Sequence, residues 1–283
     1  ANGSPCGSVE FKNVSFEYKN AGAEALFDIS FFAKPGQTVG IIGGTGSGKS
    51  TLVNLVPNFY SATKGQVLID GVNADEYDRA ALLSAVSVVP QKAVLFEGTI
   101  RSNLLMGNPN ASEAELFSAL ETAQAAEIVR TKPHGIDEPV LRGGSNFSGG
   151  QKQRLSIARA LVHGGRILIL DDSASALDFA TDAKLRAAIR KLSPAPTTFI
   201  VSRMKSFCAI ALFIARFMPL SSRTKRQSLA FRTTHPKEMR QNEQKRFKQK
   251  RKICVLRGIT FYTRFSGTRH RCGAFAPAET LSF

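Results

Sequence analysis

A glycine-rich run ahead of residue 51 has the residue types and the spacing that phosphate binding requires. Residues 43–50 read GGTGSGKS and fit the pattern G-x-x-x-x-G-K-[S/T], so we name them the phosphate loop. Glycines let successive backbone N–H groups point at phosphate oxygens, Lys49 neutralises phosphate charge, and Ser50 can bind Mg²⁺. With the residue that follows the loop, the predicted phosphate-binding residues are Gly43, Gly44, Thr45, Gly46, Ser47, Gly48, Lys49, Ser50 and Thr51.

A phosphate loop that uses Mg²⁺ also needs a carboxylate on a neighbouring strand. The apolar run 166–170 (RILIL) is followed by Asp171, which can supply that carboxylate. An apolar strand that ends in aspartate could be an ordinary boundary between strand and turn. The presence of the phosphate loop upstream favours Asp171 as a metal ligand.

The elements that must position these residues are strands that alternate with helices. Residues 38–42 (TVGII) form a β-branched run that predicts a buried strand ahead of the phosphate loop. Residues Ser112 and Glu115 have the spacing of a capping box, which predicts a helix start. The alternation predicts an α/β fold with a mainly parallel sheet. The predicted strands are 9–18, 38–42, 66–70, 86–89, 166–170 and 197–201. Two helices are predicted to begin at about 50 and 112, and two more are predicted over 149–162 and 181–191.

Residues 147–154 (FSGGQKQR), which we name the signature segment, resemble the signature sequence of ABC proteins. The resemblance covers about residues 8–202. It implies a P-loop NTPase with a RecA-like core, a small antiparallel β subdomain and a helical subdomain that carries the signature. It also implies ATP and Mg²⁺ as ligands. The residues that would bind the γ-phosphate of an ATP held by a second, head-to-tail ATP-binding domain are Ser148, Gly149, Gly150 and Gln151.

The same resemblance gives roles to three other positions. Tyr18 in VSFEY matches the aromatic residue that stacks on adenine, and Gln91 matches the glutamine that contacts Mg²⁺ or the attacking water. Residues 175–178, which end in Asp178, match the loop that crosses the dimer interface. Residues 95–100 (LFEGTI) and 103–107 (NLLMG) resemble the corresponding stretches of the exporter subfamily. We therefore expect the chain to drive the transmembrane domains of an exporter at the cytoplasmic face of the cell membrane.

Two departures from the family pattern bear on catalysis. Asp172 occupies the position where active members usually carry the glutamate that polarises water, and Ser202 is followed by Arg203 where a histidine is expected. Heterodimeric bacterial exporters pair a degenerate half that has these two departures with a competent half. This chain resembles the degenerate half, so we expect a heterodimer. Three hypotheses remain: an ATPase with Asp172, Gln91 and Lys49 as catalytic residues, a non-hydrolytic partner half, or a truncated fragment without function.

The net charge of +16 belongs to the end of the chain. Residues 1–202 contain 19 Lys and Arg and 19 Asp and Glu, whereas residues 203–283 contain 19 and 3. We predict a linker at 1–8, an ABC ATP-binding domain at 9–202 whose C-terminal end is incomplete, and a basic tail at 203–283 without a recognisable domain. An out-of-frame or truncated reading of the gene would explain the tail.

The alternative for the tail is an arm that binds nucleic acid or anionic lipid through residues 245–252 (KRFKQKRK). Such runs are usually solvated or disordered, so we do not expect nucleic acid among the partners. The longest apolar run, 207–220, has 14 residues and contains Arg216, which is too short to span a bilayer. Membrane-spanning helices are expected on a preceding segment or on another chain. The four cysteines do not predict a disulfide framework or a metal site.

Overall fold

The computed structural model describes residues 6–19, 22, 24–203, 254–257 and 260–262. The described strands are β1 (Val9–Glu17), β2 (Glu24–Ala33), β3 (Thr38–Gly43), β4 (Lys64–Ile69), β5 (Val72–Asn73), β6 (Val86–Val89), β7 (Gly98–Thr99), β8 (Pro139–Val140), β9 (Ile167–Asp171), β10 (Thr197–Arg203), β11 (Cys254–Arg257) and β12 (Thr260–Tyr262). The described α-helices are α1 (Lys49–Asn54), α2 (Arg79–Ala85), α3 (Ile100–Leu105), α4 (Glu113–Thr122), α5 (Ala126–Arg130), α6 (Gly149–His163) and α7 (Phe179–Arg190).

The central sheet has the order β12-β11-β3-β10-β9-β6. Strands β3, β10, β9 and β6 are parallel, as predicted, and their carboxyl ends therefore meet at one edge. The loops that follow β3, β6 and β9 carry the phosphate loop, Gln91 and Asp172. Ligands of open α/β sheets bind outside the carboxyl ends of the strands, so this edge is where the site must lie.

The parallel sheet separates two hydrophobic cores, because successive side chains of a strand point to opposite faces. In β9, Leu168 and Leu170 join the core that packs against α4 and α6. Ile167 and Ile169 join the other core, which also contains Leu52 of α1 and the inner face of a second sheet. Both faces of β9 are thus covered, which explains why its sequence is a continuous apolar run.

The second sheet is antiparallel, with the order β2-β1-β4-β5. The mixed α/β architecture with an antiparallel β subdomain and a helical part around α3–α6 is the one that the family resemblance implies. The sequence did not predict β2, because Phe27 and Phe32 on this strand are exposed and obscure the alternation of apolar and polar residues.

Helix α4 of the helical part begins where the sequence predicted a helix start. Ser112 and Glu115 form the capping box of α4: the Ser112 N–H donates to Glu115 Oε2 over 2.7 Å, and the Glu115 N–H donates to Ser112 Oγ over 3.3 Å. Capping satisfies the N–H groups that the first helical turn leaves without backbone partners. The capping box predicted from sequence is confirmed.

Two strands come from the part of the chain that the sequence assigned to the basic tail. β11 pairs with β3 in antiparallel register, with Cys254 opposite Ile42 and Arg257 opposite Val39, and β12 pairs with β11. The apolar run 207–220 and the basic run 245–252 lie outside the described residues. None of the helices in the described part of the chain has the length and apolarity that a membrane crossing requires.

The carboxyl end of α6 is fixed to β6 by a histidine. His163 Nδ1 lies 3.0 Å from Ser87 Oγ, and the Gly165 N–H donates to the same oxygen over 3.1 Å. Because Ser87 Oγ accepts the Gly165 N–H, its own proton is available to donate to a neutral His163 Nδ1. Partial burial lowers the pKa of His163 below its usual value, which favours the same neutral form.

Stability should therefore decrease in mild acid through His163. A folded-state pKa below the unfolded value of about 6.5 means that the unfolded chain binds the proton first as pH falls. The contribution of neutral His163 is complete above about pH 6.5 and is lost as pH falls toward the folded-state pKa. We expect His163→Gln to reduce the loss of unfolding free energy between about pH 7.5 and pH 5.5, measured by urea denaturation. Equal pH dependence in both proteins would contradict this role.

Candidate functional site

One cavity at the carboxyl edge of the parallel sheet brings the predicted phosphate and metal residues together. Its volume is about 220 Å³. It lies where the loops after β3, β6 and β9 meet, and β10 contributes one residue to its wall. The lining residues are Thr45, Gly46, Ser47, Gly48, Lys49, Ser50, Thr51, Gln91, Asp171, Asp172 and Val201.

The phosphate loop joins β3 directly to α1. Gly46 and Gly48 have φ values of 72° and 88°, a region that glycine adopts without a steric penalty. Gly48 is the N-cap residue of α1 and has no side chain that could cap it. A Cβ added at Gly44 or Gly46 would meet nothing within 4 Å, so the backbone borders open space. A helix N-terminus that faces such a space favours an anion.

Lys49 lies across the loop. Its Nζ donates to the Gly44 carbonyl over 2.6 Å and to Ser47 Oγ over 3.3 Å, and the residue is only 7% exposed. These contacts hold a positive charge against the phosphate loop before any ligand binds. The position suits neutralisation of phosphate charge.

Two consecutive aspartates lie at the carboxyl end of β9. Asp171 and Asp172 are buried. Asp172 has φ 49°, and its carbonyl accepts the N–H and the Oγ–H of Ser175 over 3.1 and 2.8 Å. Its own N–H donates to the Val201 carbonyl over 3.1 Å. Aspartate is among the non-glycine residues that tolerate this left-handed conformation, so the turn suits the residue that the sequence places there.

Gln91 approaches the second aspartate from the next strand. It follows β6, which pairs with β9, and its Nε2 donates to Asp172 Oδ2 over 3.5 Å, the outer limit of a hydrogen bond. Gln91 is exposed at the mouth of the cavity. The side chain can therefore exchange this weak contact for a ligand without losing a strong one.

The donor groups of the cavity fit Mg²⁺. Ser50, Asp171 and Gln91 offer a hydroxyl, a carboxylate and an amide oxygen, and magnesium prefers oxygen ligands. Among the residues that the structure describes, no group of three or more His, Cys, Asp or Glu could hold a metal ion without other ligands. This composition is typical of magnesium that is bound by one or two carboxylates together with phosphate oxygens of a substrate.

Tyr18 lies beside the cavity. Its hydroxyl is 2.8 Å from Thr51 Oγ1, and its ring is partly exposed. Thr51 lines the cavity and lies in α1, so one hydrogen bond connects the aromatic residue that the resemblance assigned to adenine to the helix that follows the phosphate loop.

The signature residues lie elsewhere. Ser148 caps α6 and forms a capping box with Gln151, in which the Ser148 N–H donates to Gln151 Oε1 over 2.9 Å. Ser148 and Gly149 are exposed, and no residue of the signature segment lines the cavity. A Cβ added to Gly150 would lie 3.0 Å from the Ala176 carbonyl, so the start of α6 packs closely on the loop that follows the two aspartates.

Asp178 is also away from the cavity. It caps α7 by accepting the Thr181 N–H over 2.9 Å and the Thr181 Oγ1–H over 2.7 Å. These hydrogen bonds, first that of the side chain, lower the pKa of Asp178. The carboxylate is thus an exposed, ionised helix cap.

The sequence missed Val201 as a lining residue. Val201 lies on β10, between the strands that carry the phosphate loop and the aspartates, and its carbonyl fixes the Asp172 backbone. Valine has no polar or ionisable group that would mark it as a site residue in the sequence. Only the strand order, which places β10 between β3 and β9, could have identified it.

Comparison with known proteins adds a family assignment. The family model described as ABC transporter matches residues 26–175, slightly more than half of the chain. The chain is 42% identical over 200 residues to the beta-(1→2)glucan export ATP-binding/permease protein NdvA of Bartonella bacilliformis, covering 71% of this chain and 33% of that protein. It is 46% identical over 183 residues to the uncharacterized ABC transporter ATP-binding protein YfiB of Bacillus subtilis, covering 65% of this chain and 32% of that protein. The chain thus spans about a third of the length of these relatives.

A solved structure is also similar. The structure of a bacterial Atm1-family ABC exporter with ATP bound aligns with a TM-score of 0.66 and 37% sequence identity, covering 71% of this chain and 35% of that one. The segment that the family model matches contains the phosphate loop, the signature segment and both aspartates. The chain therefore belongs to the ABC transporter family, as an ATP-binding domain with a P-loop NTPase fold.

Proposed function

We propose that this chain binds and hydrolyses ATP to drive an ABC exporter. The observation that carries the proposal is the single cavity that combines the phosphate loop with Gln91, Asp171 and Asp172. Its contents match the requirements of phosphoryl transfer, in which catalysis is mainly positioning and stabilisation of charge.

The polar and charged residues of the cavity divide that chemistry between them. Lys49 and the loop amides stabilise negative charge on the β- and γ-phosphates of the substrate. Ser50, Asp171 and Gln91 would hold Mg²⁺, which when bound neutralises phosphate charge. Asp172 occupies the general-base position, where its carboxylate would accept a proton from the attacking water. Gln91 lies within 3.5 Å of that carboxylate, so both side chains can contact the same water.

The position of the signature segment supports a second ATP-binding domain as partner. Ser148 and Gly149 form an exposed helix N-terminus that is not part of the chain's own cavity. An exposed N-terminus with a serine and two glycines suits an anion. In a head-to-tail dimer these residues would contact the γ-phosphate that the partner's phosphate loop holds. We propose a heterodimer, because the departures at Asp172 and after Ser202 suit a pair of unequal sites.

The relatives support the remaining parts of the proposal. NdvA is named an export ATP-binding/permease protein, and a similar solved structure is an ABC exporter. By analogy, the transmembrane domains of an exporter are the partner that this domain drives, and the cytoplasmic face of the cell membrane is its location.

A non-hydrolytic partner half is the second candidate. It is favoured by two observations: the carboxylate at the base position is one methylene shorter than glutamate, and β10 runs through Ser202 into Arg203 without a histidine. In that case the signature segment would complete the partner's site while the cavity described above holds ATP.

Equilibrium binding of a fluorescent ATP analogue to the full chain tests the common basis of both candidates. We expect binding in Mg²⁺ that weakens strongly when EDTA removes the metal, because the Ser50 hydroxyl and the Asp171 carboxylate supply oxygen ligands suited to it. A folded protein without magnesium-dependent affinity would reject both candidates and favour the third hypothesis, a defective fragment.

A further inference from the structure

The first residue of the signature segment contacts a lysine that follows helix α5. Lys132 Nζ is 4.8 Å from the centroid of the Phe147 ring, which is within the range of a cation–π interaction. Phe147 is only 4% exposed and belongs to the core that packs against α4 and α6. A positive charge therefore lies at the edge of this apolar core, directly before the signature residues that would bind phosphate.

Glu138 limits where this lysine can move. Its Oε1 is 3.7 Å from Lys132 Nζ, and its Oε2 accepts the His134 N–H over 3.3 Å. The side chains of Lys132 and Glu138 are only 24% and 13% exposed. Solvent and salt screen such a pair less than they screen a fully exposed ion pair, so the carboxylate helps to keep the ammonium group at the ring.

Helix α6 begins without the apolar pair that often fixes the entry of a chain into a helix. That pair joins the residue before the N-cap to the fourth helical residue. The N-cap of α6 is Ser148, so the two positions are Phe147 and Lys152. Lysine is charged, and a Cβ added at Gly144 would lie 3.0 Å from Lys152 Cδ, so this side chain packs along the preceding loop. The contact with Lys132 is thus a second means of holding the Phe147 ring at the start of the helix.

The backbone before the helix is fixed as far as Phe147. Asn146 Nδ2 donates to the Pro139 carbonyl over 2.8 Å, and the Phe147 N–H donates to the Gly144 carbonyl over 3.0 Å. The next residue, Ser148, is exposed. The direction of the exposed N-terminus of α6 therefore depends on how the Phe147 ring is held.

We propose that Lys132 is a positioning residue for the signature segment. The inference rests on the proposed head-to-tail arrangement of two ATP-binding domains and deepens it. By holding the Phe147 ring, the ammonium group keeps Ser148 and the N-terminus of α6 in the orientation that presents them to a γ-phosphate in the partner's phosphate loop. Lys132 does not line the cavity of its own chain, so its effect falls on the site of the partner.

Amide hydrogen exchange on the full chain tests the contact itself. Lys132→Met keeps the approximate length of the side chain and removes the charge. A cation–π contact that is partly shielded from solvent changes an equilibrium about fivefold. Exchange of the amides of residues 147–152 requires the start of α6 to open, so it should be about fivefold faster in Lys132→Met. Lys132→Arg should restore the parental rate, because arginine also binds aromatic rings.

Two further variants isolate the ring contact. Arg130→Met is the matched control, because it removes an exposed cation at the end of α5 whose Nη2 is 3.3 Å from Glu121. It should leave exchange at 147–152 unchanged. Phe147→Leu removes the ring and keeps an apolar side chain. In that background Lys132→Met should have little further effect, because both changes remove the same contact.

Association of two copies of the chain tests the consequence for the site. Two copies can present to each other the same cavity and signature surfaces as a heterodimer would. Light scattering in Mg²⁺ and a non-hydrolysable ATP analogue should show association of the parent protein. Lys132→Met should weaken it by as much as about 25-fold, because each dimer contains two signature segments. The affinity of the single chain for the analogue should stay at the parental value, whereas a loss of overall stability would lower both.

The outcomes separate this inference from the proposed function. If the parent chain does not bind the analogue, the proposed function fails. If the parent binds it and remains a monomer, or if Lys132→Met changes neither exchange nor association, the inference alone is wrong. Faster exchange with unchanged association would show that Lys132 stabilises only the local fold, which also overturns the inference. Equally faster exchange in all elements, or a full further effect of Lys132→Met on Phe147→Leu, would do the same.

Discussion

Lys49→Met is expected to weaken the binding of Mg·ATP about 100-fold. The ammonium group already lies over the phosphate loop, where it donates to the Gly44 carbonyl and to Ser47 Oγ. When a triphosphate occupies the loop, the same group can donate to phosphate oxygens. Charge-assisted hydrogen bonds contribute about 1.5–3 kcal/mol each, so removing the charge should cost roughly 2.7 kcal/mol of binding, or two orders of magnitude.

Methionine is the suitable replacement because it keeps the approximate length of the side chain and removes the ammonium group with its charge and its N–H donors. Lys49 is buried, so burying a neutral side chain of similar size offsets the loss of its two hydrogen bonds, and the variant should still fold. Equilibrium binding gives the affinity, and thermal unfolding shows that the variant is folded. Lys12→Met removes an exposed lysine of β1, whose Nζ is 3.4 Å from Glu10, and serves as the control. A folded Lys49→Met protein with parental affinity would contradict the assigned role.

The order of the parallel sheet explains why so much of the site was predictable from sequence. The phosphate loop, Gln91 and Asp171 each follow a short apolar strand, and parallel strands bring their carboxyl ends to one edge. Local patterns identified the phosphate loop and Asp171, the family resemblance identified Gln91, and the order of the sheet brings all three together. The capping box of α4 was predictable for a different reason, since all of its contacts lie within four residues.

Contacts between distant, chemically ordinary residues could not be predicted in this way. The hydrogen bond between Tyr18 and Thr51 joins the residue after β1 to α1, and neither the spacing of these residues nor their types indicate a pair. The left-handed conformation of Asp172 is set by the Val201 carbonyl and by Ser175, which the sequence cannot place. Strand β2 was missed because two of its phenylalanines face solvent. Strands β11 and β12 lie in a segment whose composition gave no periodic pattern.

Hydrolysis is the second property with a large expected change. Asp172→Glu, combined with a histidine inserted between Ser202 and Arg203, is expected to raise the single-turnover rate about 100-fold in the presence of a partner half. The longer side chain moves the carboxylate toward the mouth of the cavity, and a displacement of about 1 Å at a reacting group changes rates by about two orders of magnitude. The backbone at this position has φ 49°, where aspartate is tolerated better than glutamate, so a small loss of stability should accompany the gain.

Asp172→Asn with the same insertion is the matched control, because it keeps the shorter side chain and removes the charge that could accept a proton. We expect its hydrolysis to fall below that of the parent while ATP affinity is retained, since the phosphate loop and Asp171 are unchanged. If the parent chain already hydrolyses ATP at the rate of the glutamate variant, the aspartate is a competent base and the non-hydrolytic candidate is rejected. If the glutamate variant binds ATP and gains no rate in the presence of the partner half, the shorter carboxylate is not what limits this site, and the assigned role of Asp172 is wrong.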